Sequence, residues 1–135
     1  MSCDGAARGN PGPAGIGVVV ATSDGEVLST IAEGLGETTN NVAEYTAARE
    51  GLRRAVELGA SRVHLRSDSQ LLVEQLSGRY KVKAPHLRPL YAEVMAELAR
   101  FEAVRLEHVP RERNREADRL ANQGVDDWLR NRRRS

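Results

Sequence analysis

The sequence has a single cysteine, no apolar stretch longer than Ile16–Ala21, no internal repeat and no marked excess of either charge. One cysteine, Cys3, excludes an internal disulfide and a cysteine-based zinc site. The apolar stretch falls far short of the roughly 20 residues that cross a bilayer, so no membrane partner is expected. The opening Met-Ser-Cys-Asp-Gly has neither the basic start nor the apolar stretch of a signal peptide, which points to the cytoplasm. A formal net charge of +1 excludes a polycation. With 135 residues, 40% hydrophobic and 29% charged, the chain reads as one folded domain, large enough for a core and too short for two.

Charge is nevertheless uneven along the chain. From Ser77 to Ala92 the basic residues Arg79, Lys81, Lys83 and Arg88 stand without an acidic one, with Tyr80 and Tyr91 among them. The end, Arg130-Asn-Arg-Arg-Arg-Ser135, is basic too. Local cations with interleaved aromatics suit a phosphate backbone, although an ordinary solvated face gives the same pattern.

Residues 1–8 allow only a short strand, which leads into the turn cluster Gly9-Asn-Pro-Gly-Pro13. A second strand over 14–22 turns through Ser23-Asp-Gly25 into a third over 26–34. Val42, Tyr45, Ala48, Leu52, Ala55 and Val56 have helical spacing and predict a helix over 41–58, closed by Gly59. There follow a strand over 62–66, a helix over 69–76 ended by Gly78, a helix over 85–101, a strand over 104–109, and a helix from 114 to about 129. This order predicts an α/β fold with a five-stranded mixed sheet: three antiparallel strands, then two parallel ones reached by right-handed crossovers, flanked by helices. Residues 1–124 form the expected domain. Residues 125–135 are the end of the last helix and a basic tail, with Trp128 and Leu129 as its anchor.

Four carboxylates stand out. Asp4 lies in the first strand, Glu44 in the first turn of the first long helix, Asp68 where the fourth strand gives way to a helix, and Asp118 one turn into the last helix. Each has an ordinary explanation when taken singly. Asn41-Val-Ala-Glu44 fits a capping box, Asp68 a helix cap, and Asp118 an acidic residue favoured by a helix dipole. Asp4 is harder to dismiss, because aspartate is disfavoured in strands. Taken together, adjacent parallel strands would bring Asp4 and Asp68 level at about 5 Å. The two helices can add Glu44 and Asp118. Four such groups repel unless cations lie between them, and an all-oxygen set selects Mg²⁺ or Mn²⁺. Two such ions about 4 Å apart suit phosphodiester hydrolysis.

Asp4-Gly-Ala-Ala-Arg-Gly-Asn-Pro-Gly-Pro-Ala-Gly-Ile-Gly17, Thr38-Thr-Asn-Asn-Val-Ala-Glu44, Ser67-Asp-Ser-Gln70 and Asn114-Arg-Glu-Ala-Asp118-Arg-Leu-Ala stand in order along the chain. In these four segments the sequence resembles type 1 ribonuclease H over nearly its whole length. The resemblance implies the ribonuclease H-like fold and endonucleolytic cleavage of the RNA strand of RNA–DNA hybrids, giving 5′-phosphate and 3′-hydroxyl ends. It makes Asp4, Glu44, Asp68 and Asp118 the ligands of two metal ions, one orienting the attacking water and one stabilising the leaving 3′-oxygen. Substrate contacts would fall on Asn10, Asn40, Asn41 and Gln70, with Thr39 in the pocket for a DNA phosphate. Amide side chains suit a 2′-hydroxyl, which both donates and accepts. Gly9 and Gly12 would let the backbone approach the RNA strand. A monomer is the default expectation.

The sequence departs from better-known members in three places. Their catalytic-loop histidine has no clear counterpart. His108 falls within the fifth strand, where histidine is more often packed, and Arg111 at the strand's exit is the better candidate to stabilise charge at the phosphate. The long lysine-rich protrusion is reduced to Gly78-Arg-Tyr-Lys-Val-Lys-Ala-Pro85, whose cations and Tyr80 would grip the DNA strand and make the Michaelis constant salt-dependent. Only three residues precede Asp4, fewer than is usual for the family: either the first strand is unusually short, or the chain was shortened, or its start is late, and a truncated central strand would leave ladder groups unpaired. Two competing readings are a non-catalytic nucleic-acid-binding module on the same fold and another polynucleotidyl transferase. A decayed copy would lose carboxylates, and all four are present. The Asn-Asn-x-x-Glu and Ser-Asp-Ser-Gln segments argue against the transferase.

Overall fold

The computed structural model describes residues 1–134. Its strands are β1 (Ser2–Ala7), β2 (Gly12–Ala21), β3 (Val27–Thr38), β4 (Arg62–Ser67) and β5 (Ala103–His108). Its helices are α1 (Asn40–Glu57), α2 (Gln70–Leu76), α3 (Arg88–Leu98) and α4 (Arg115–Arg134), with short 3-10 turns at Pro85–Leu87 and Arg111–Arg113. The strand order is β3-β2-β1-β4-β5. β1–β2 and β2–β3 pair antiparallel, and β1–β4 and β4–β5 pair parallel. This is the expected mixed sheet, and it puts Asp4 on the central strand.

β1 is six residues long and pairs with β2 along its whole length, including Asp4 opposite Gly17. Its ladder with β4 is confined to Ser2 opposite Arg66. Met1 extends that edge: its nitrogen donates to the His64 carbonyl at 2.8 Å and its carbonyl accepts from Arg66 N–H at 2.8 Å.

Helices cover both faces. Alternate β2 residues point opposite ways: Val18 approaches Gly51 of α1, whereas Gly15 and Gly17 lie against α4. The core between sheet and α1 holds Ile16, Val18, Tyr45, Leu52 and Leu65, all buried. On the other face α4 presses directly on the strand backbone. A Cβ at Gly17 would stand 1.9 Å from the Ala117 carbonyl oxygen. Likewise, a Cβ at Gly5 would stand 2.3 Å from the Glu44 nitrogen of α1. The two helices that carry Glu44 and Asp118 are therefore seated by missing methyl groups on the strands beside Asp4.

Two expected elements end elsewhere. β3 runs to Thr38 rather than to Gly34, through a register shift that carries the strand past Gly34 and Gly36. α4 continues unbroken through 125 to Arg134, with Val125 buried and Trp128 packed on Gly34. The tail anchor is therefore a helix face. Of the basic tail, Ser135 lies outside the described residues, as do the side chains of Arg133 and Arg134. Among the described residues no helix is long and apolar enough to cross a membrane.

Candidate active site

Four elements deliver the four carboxylates to one end of the sheet. Asp4 projects from β1 on the face covered by α4, because its register partner Gly17 faces that helix. Asp68 directly follows β4, whose Arg66 pairs with Ser2 of β1, and its charge acts on Asp4. Glu44 is in the first turns of α1, whose backbone rests on Gly5. Asp118 is in the first turn of α4.

The electrostatics record how close they are. Asp4 is only 7% exposed, and burial raises its carboxyl to about 8. The charge of Asp68, contact with the Asp118 carboxyl and the charge of Glu44 push the same way. Burial also raises Glu44 to about 7; a hydrogen bond from Ser69 opposes the shift and the charge of Asp68 adds to it. Without cations the protein holds carboxyl protons near neutral pH that free carboxylates would release.

Two of the four are also held from outside the cluster. Ser69 Oγ donates to Glu44 Oε2 at 2.9 Å while capping α2. Arg111, in the 3-10 turn before α4, stands 3.7 Å from Asp118 Oδ1 with 80% of its side chain exposed. Among the described residues no group of three or more His, Cys, Asp or Glu side chains is gathered into a ready-made metal-ligand set. The donor chemistry still fits hard divalent cations: four carboxylates, no sulfur and no imidazole. Cys3, beside Asp4, is buried, its thiol pushed up to about 12, so it offers no thiolate. His108 is the last residue of β5, the edge strand of the sheet, and is exposed rather than packed.

The amide residues lie along the adjoining edge. Asn10 Oδ1 accepts from Asn40 N–H at 3.2 Å, and Asn40 Oδ1 accepts from Ala7 N–H at 2.8 Å. This double clasp fixes the β1–β2 turn against the start of α1. Thr39 caps α1, its hydroxyl accepting from Val42 N–H at 3.3 Å. Asn41 lines a groove of about 530 Å³ together with Gln75, Tyr80, Lys81 and Lys83. Gln70 opens α2 with its side chain exposed. Asn10, Thr39, Asn40 and Asn41 thus form one edge, and Gln70 stands two residues after Asp68.

Three contributors escaped sequence reasoning. Ser69 and Asn114 sit inside the quoted motifs, but nothing in the sequence says what their side chains touch. Asn114, 2% exposed, donates from Nδ2 to the Cys3 carbonyl at 2.9 Å, fastening the start of α4 to β1 beside Asp4. Gln75 is the third: a polar residue on an apolar helix face reads as noise.

A family described as Reverse transcriptase-like matches residues 2–124. The bifunctional protein Rv2228c of Mycobacterium tuberculosis (strain ATCC 25618 / H37Rv) is 50% identical over 127 residues, which are 93% of this chain and 35% of that protein. This chain therefore spans about a third of that relative's length. The structure of RNase H1 from the halophilic archaeon Halobacterium salinarum NRC-1 superposes with a TM-score of 0.90 at 40% identity, covering 93% of this chain and 96% of that one. LC11-RNase H1, solved in complex with an RNA/DNA hybrid, gives 0.89 at 42% identity, covering 95% and 96%. With a family model matching residues 2–124 and RNase H1 structures superposing over 93% and 95% of it, the chain belongs to the type 1 ribonuclease H family.

Proposed function

We propose that this protein is an endoribonuclease that hydrolyses the RNA strand of RNA–DNA hybrids, with Asp4, Glu44, Asp68 and Asp118 holding two divalent ions, Mg²⁺ or Mn²⁺. The observation that carries the reading is the placement of Asp4, 7% exposed on the central strand, with the carboxylates of Asp68, Asp118 and Glu44 as neighbours from three other stretches of the chain. The solved hybrid complex of LC11-RNase H1 supports the substrate class. Bound between these groups, the ions would supply charge neutralisation at the attacking and leaving oxygens, giving 5′-phosphate and 3′-hydroxyl ends.

The chain's own residues do the rest. Ser69 and Arg111 steady Glu44 and Asp118 before substrate arrives. Asn10, Thr39, Asn40, Asn41 and Gln70 line the approach and hold the hybrid in register, and the cations of the 78–85 segment bind the DNA strand's phosphates. Arg111 offers a mobile guanidinium to the scissile phosphate. The deciding experiment compares cleavage of an RNA–DNA hybrid, duplex RNA and duplex DNA, each with and without Mg²⁺. Only the hybrid with metal should be cut; cleavage of duplex DNA, or of the hybrid in chelator, sinks the reading.

Two expected results follow from the site. A carboxyl whose folded pKa is raised binds more protons folded than unfolded, so stability falls as pH rises between the two values. For Asp4 that window runs from 3.8 to about 8, and for Glu44 from 4.5 to about 7. Metal-free protein should therefore lose Tm steadily from about pH 4 to 8. Mg²⁺ or Mn²⁺ should restore it most at the alkaline end; a metal effect independent of pH would contradict the cluster. Arg111→Ala should lower kcat about tenfold, less than the loss of a buried oxyanion donor because the side chain is exposed. His108→Ala should leave kcat within about twofold. The reverse ranking would transfer the role to His108.

A further inference from the structure

A buried polar chain links α1 to the basic segment after α2. Tyr45, 2% exposed and next to Glu44 in sequence, donates its hydroxyl to Gln75 Oε1. Gln75, 5% exposed, donates from Nε2 to the Lys81 carbonyl at 3.3 Å. Leu72 and Leu76 on the same short helix belong to the apolar core. A leucine at 75 would suit that surrounding better, since a buried amide is costly unless both its ends are satisfied. Both ends are satisfied, one on each side of the helix.

The receiving segment is also held by Val82 and Ala84, which pack against the apolar core, and by the two-pronged Arg79–Glu74 ion pair, but none of these fixes the Lys81 backbone directly. Residues 78–84 form no helix or strand. Arg79 and Tyr80 N–H both bond the Glu74 carbonyl, at 3.0 and 3.2 Å, which fixes the segment's beginning. Beyond Tyr80, Arg88 reaches the Val82 carbonyl at 3.4 Å from an exposed position. Among the described residues, the Gln75 amide is the one hydrogen bond given from a buried side chain to the backbone of this stretch. Yet Tyr80, Lys81 and Lys83 line the groove whose other side includes Asn41, at the start of α1. The chain Tyr45–Gln75–Lys81 therefore ties α1 to the basic segment through Gln75, which itself lines that groove.

We propose that Gln75 is a positioning residue for substrate: its amide sets the Lys81 backbone so that Tyr80, Lys81 and Lys83 face Asn41 across the groove and take the DNA strand's phosphates. The inference rests on the hybrid-nuclease reading. It explains how a segment without the long basic protrusion still presents a defined cationic wall. A flexible lysine pair pays its ordering entropy on binding; a backbone fixed from the core reduces it.

The test is steady-state hybrid cleavage across a salt series by wild type, Gln75→Met, and Lys81→Ala/Lys83→Ala in both backgrounds. Gln75→Met keeps the volume and removes both hydrogen bonds. It should raise KM about tenfold while kcat stays within about twofold, and the slope of log KM against log salt should fall by about 1 to 2, one for each disengaged lysine. The double lysine substitution should cost several-fold in KM in wild type and less than about twofold on top of Gln75→Met. Unchanged KM and salt slope in Gln75→Met, or full additivity with the lysine pair, overturns the proposal, since a purely structural glutamine would alter neither. If Gln75→Met does not fold, Gln75→Glu substitutes: it keeps the acceptor for Tyr45 and replaces the donor to Lys81, and an unaltered KM there also overturns the proposal. Wild type that leaves hybrids uncut sinks the nuclease reading and this inference with it. Wild type that cuts, beside a Gln75→Met enzyme with wild-type KM, sinks the inference alone.

Discussion

Asp68→Asn should lower kcat by about a thousandfold or more while leaving the dissociation constant for a hybrid within a few-fold of wild type. The substitution conserves shape and removes one negative charge. Asp68 is the strongest charge acting on Asp4, so its loss weakens the attraction of the cluster for a pair of divalent cations more than any contact to substrate. Hybrid binding should survive, because the amide edge at Asn10, Asn40 and Asn41 and the basic groove are untouched. A second signature accompanies the first. With Asp68 neutral, Asp4 and Glu44 both lose a cause of their raised values, and the pH dependence of metal-free Tm should flatten. Single-turnover cleavage with filter binding of the same hybrid reads both quantities. A variant that cleaves at the wild-type rate would remove Asp68 from the chemistry and the proposed ligand set with it.

Gly17→Ala should have the next largest effect, although no substrate or metal need ever touch residue 17. A Cβ there would lie 1.9 Å from the Ala117 carbonyl oxygen and 2.5 Å from the Ala121 nitrogen. Both are backbone atoms of a helix twenty residues long, so no side chain can swing aside. Restoring ordinary contact requires α4 to move by more than about 1 Å, and Asp118 is the residue after Ala117. Overpacking of this kind costs about 1–3 kcal/mol of stability. A displacement of that size between reacting groups costs about a hundredfold in rate. Rates measured well below the variant's Tm separate the two effects. A folded Gly17→Ala protein with wild-type kcat would mean that the spacing of Asp4 and Asp118 is not what the glycine protects.

Much of this arrangement was legible in the sequence. The order of elements follows from periodicity, and the four motifs locate Asp4, Glu44, Asp68 and Asp118 on a strand, two helices and a strand exit, where the structure has them. What could not be read was whatever depends on contact between distant segments. Gly34 and Gly36 look like the end of a strand, yet β3 continues through them because Trp128 packs over both. The start of the third long helix looked uniform from Pro85, but its first turn is 3-10, with Leu87 buried. Asn114 is unremarkable until its amide is found on the Cys3 carbonyl, 111 positions away in sequence. Gln75 interrupts an apolar pattern and reads as an imperfection until Tyr45 and Lys81 are placed on either side of it.

The linked bonding of Ala7, Asn10 and Asn40 decides how the edge would treat the wrong sugar. Each side chain has one lone pair of its oxygen engaged by a backbone N–H, so its two amide hydrogens are what it chiefly offers outward. Rotating either amide to suit a different ligand would break the turn that holds both. A ribose hydroxyl accepts such hydrogens; a deoxyribose has nothing there, and the amides would be covered without a partner. Under the proposed activity, discrimination against an all-DNA duplex is then a penalty for desolvating fixed donors rather than a reward for extra attraction, and tighter gripping of the backbone elsewhere would not erase it.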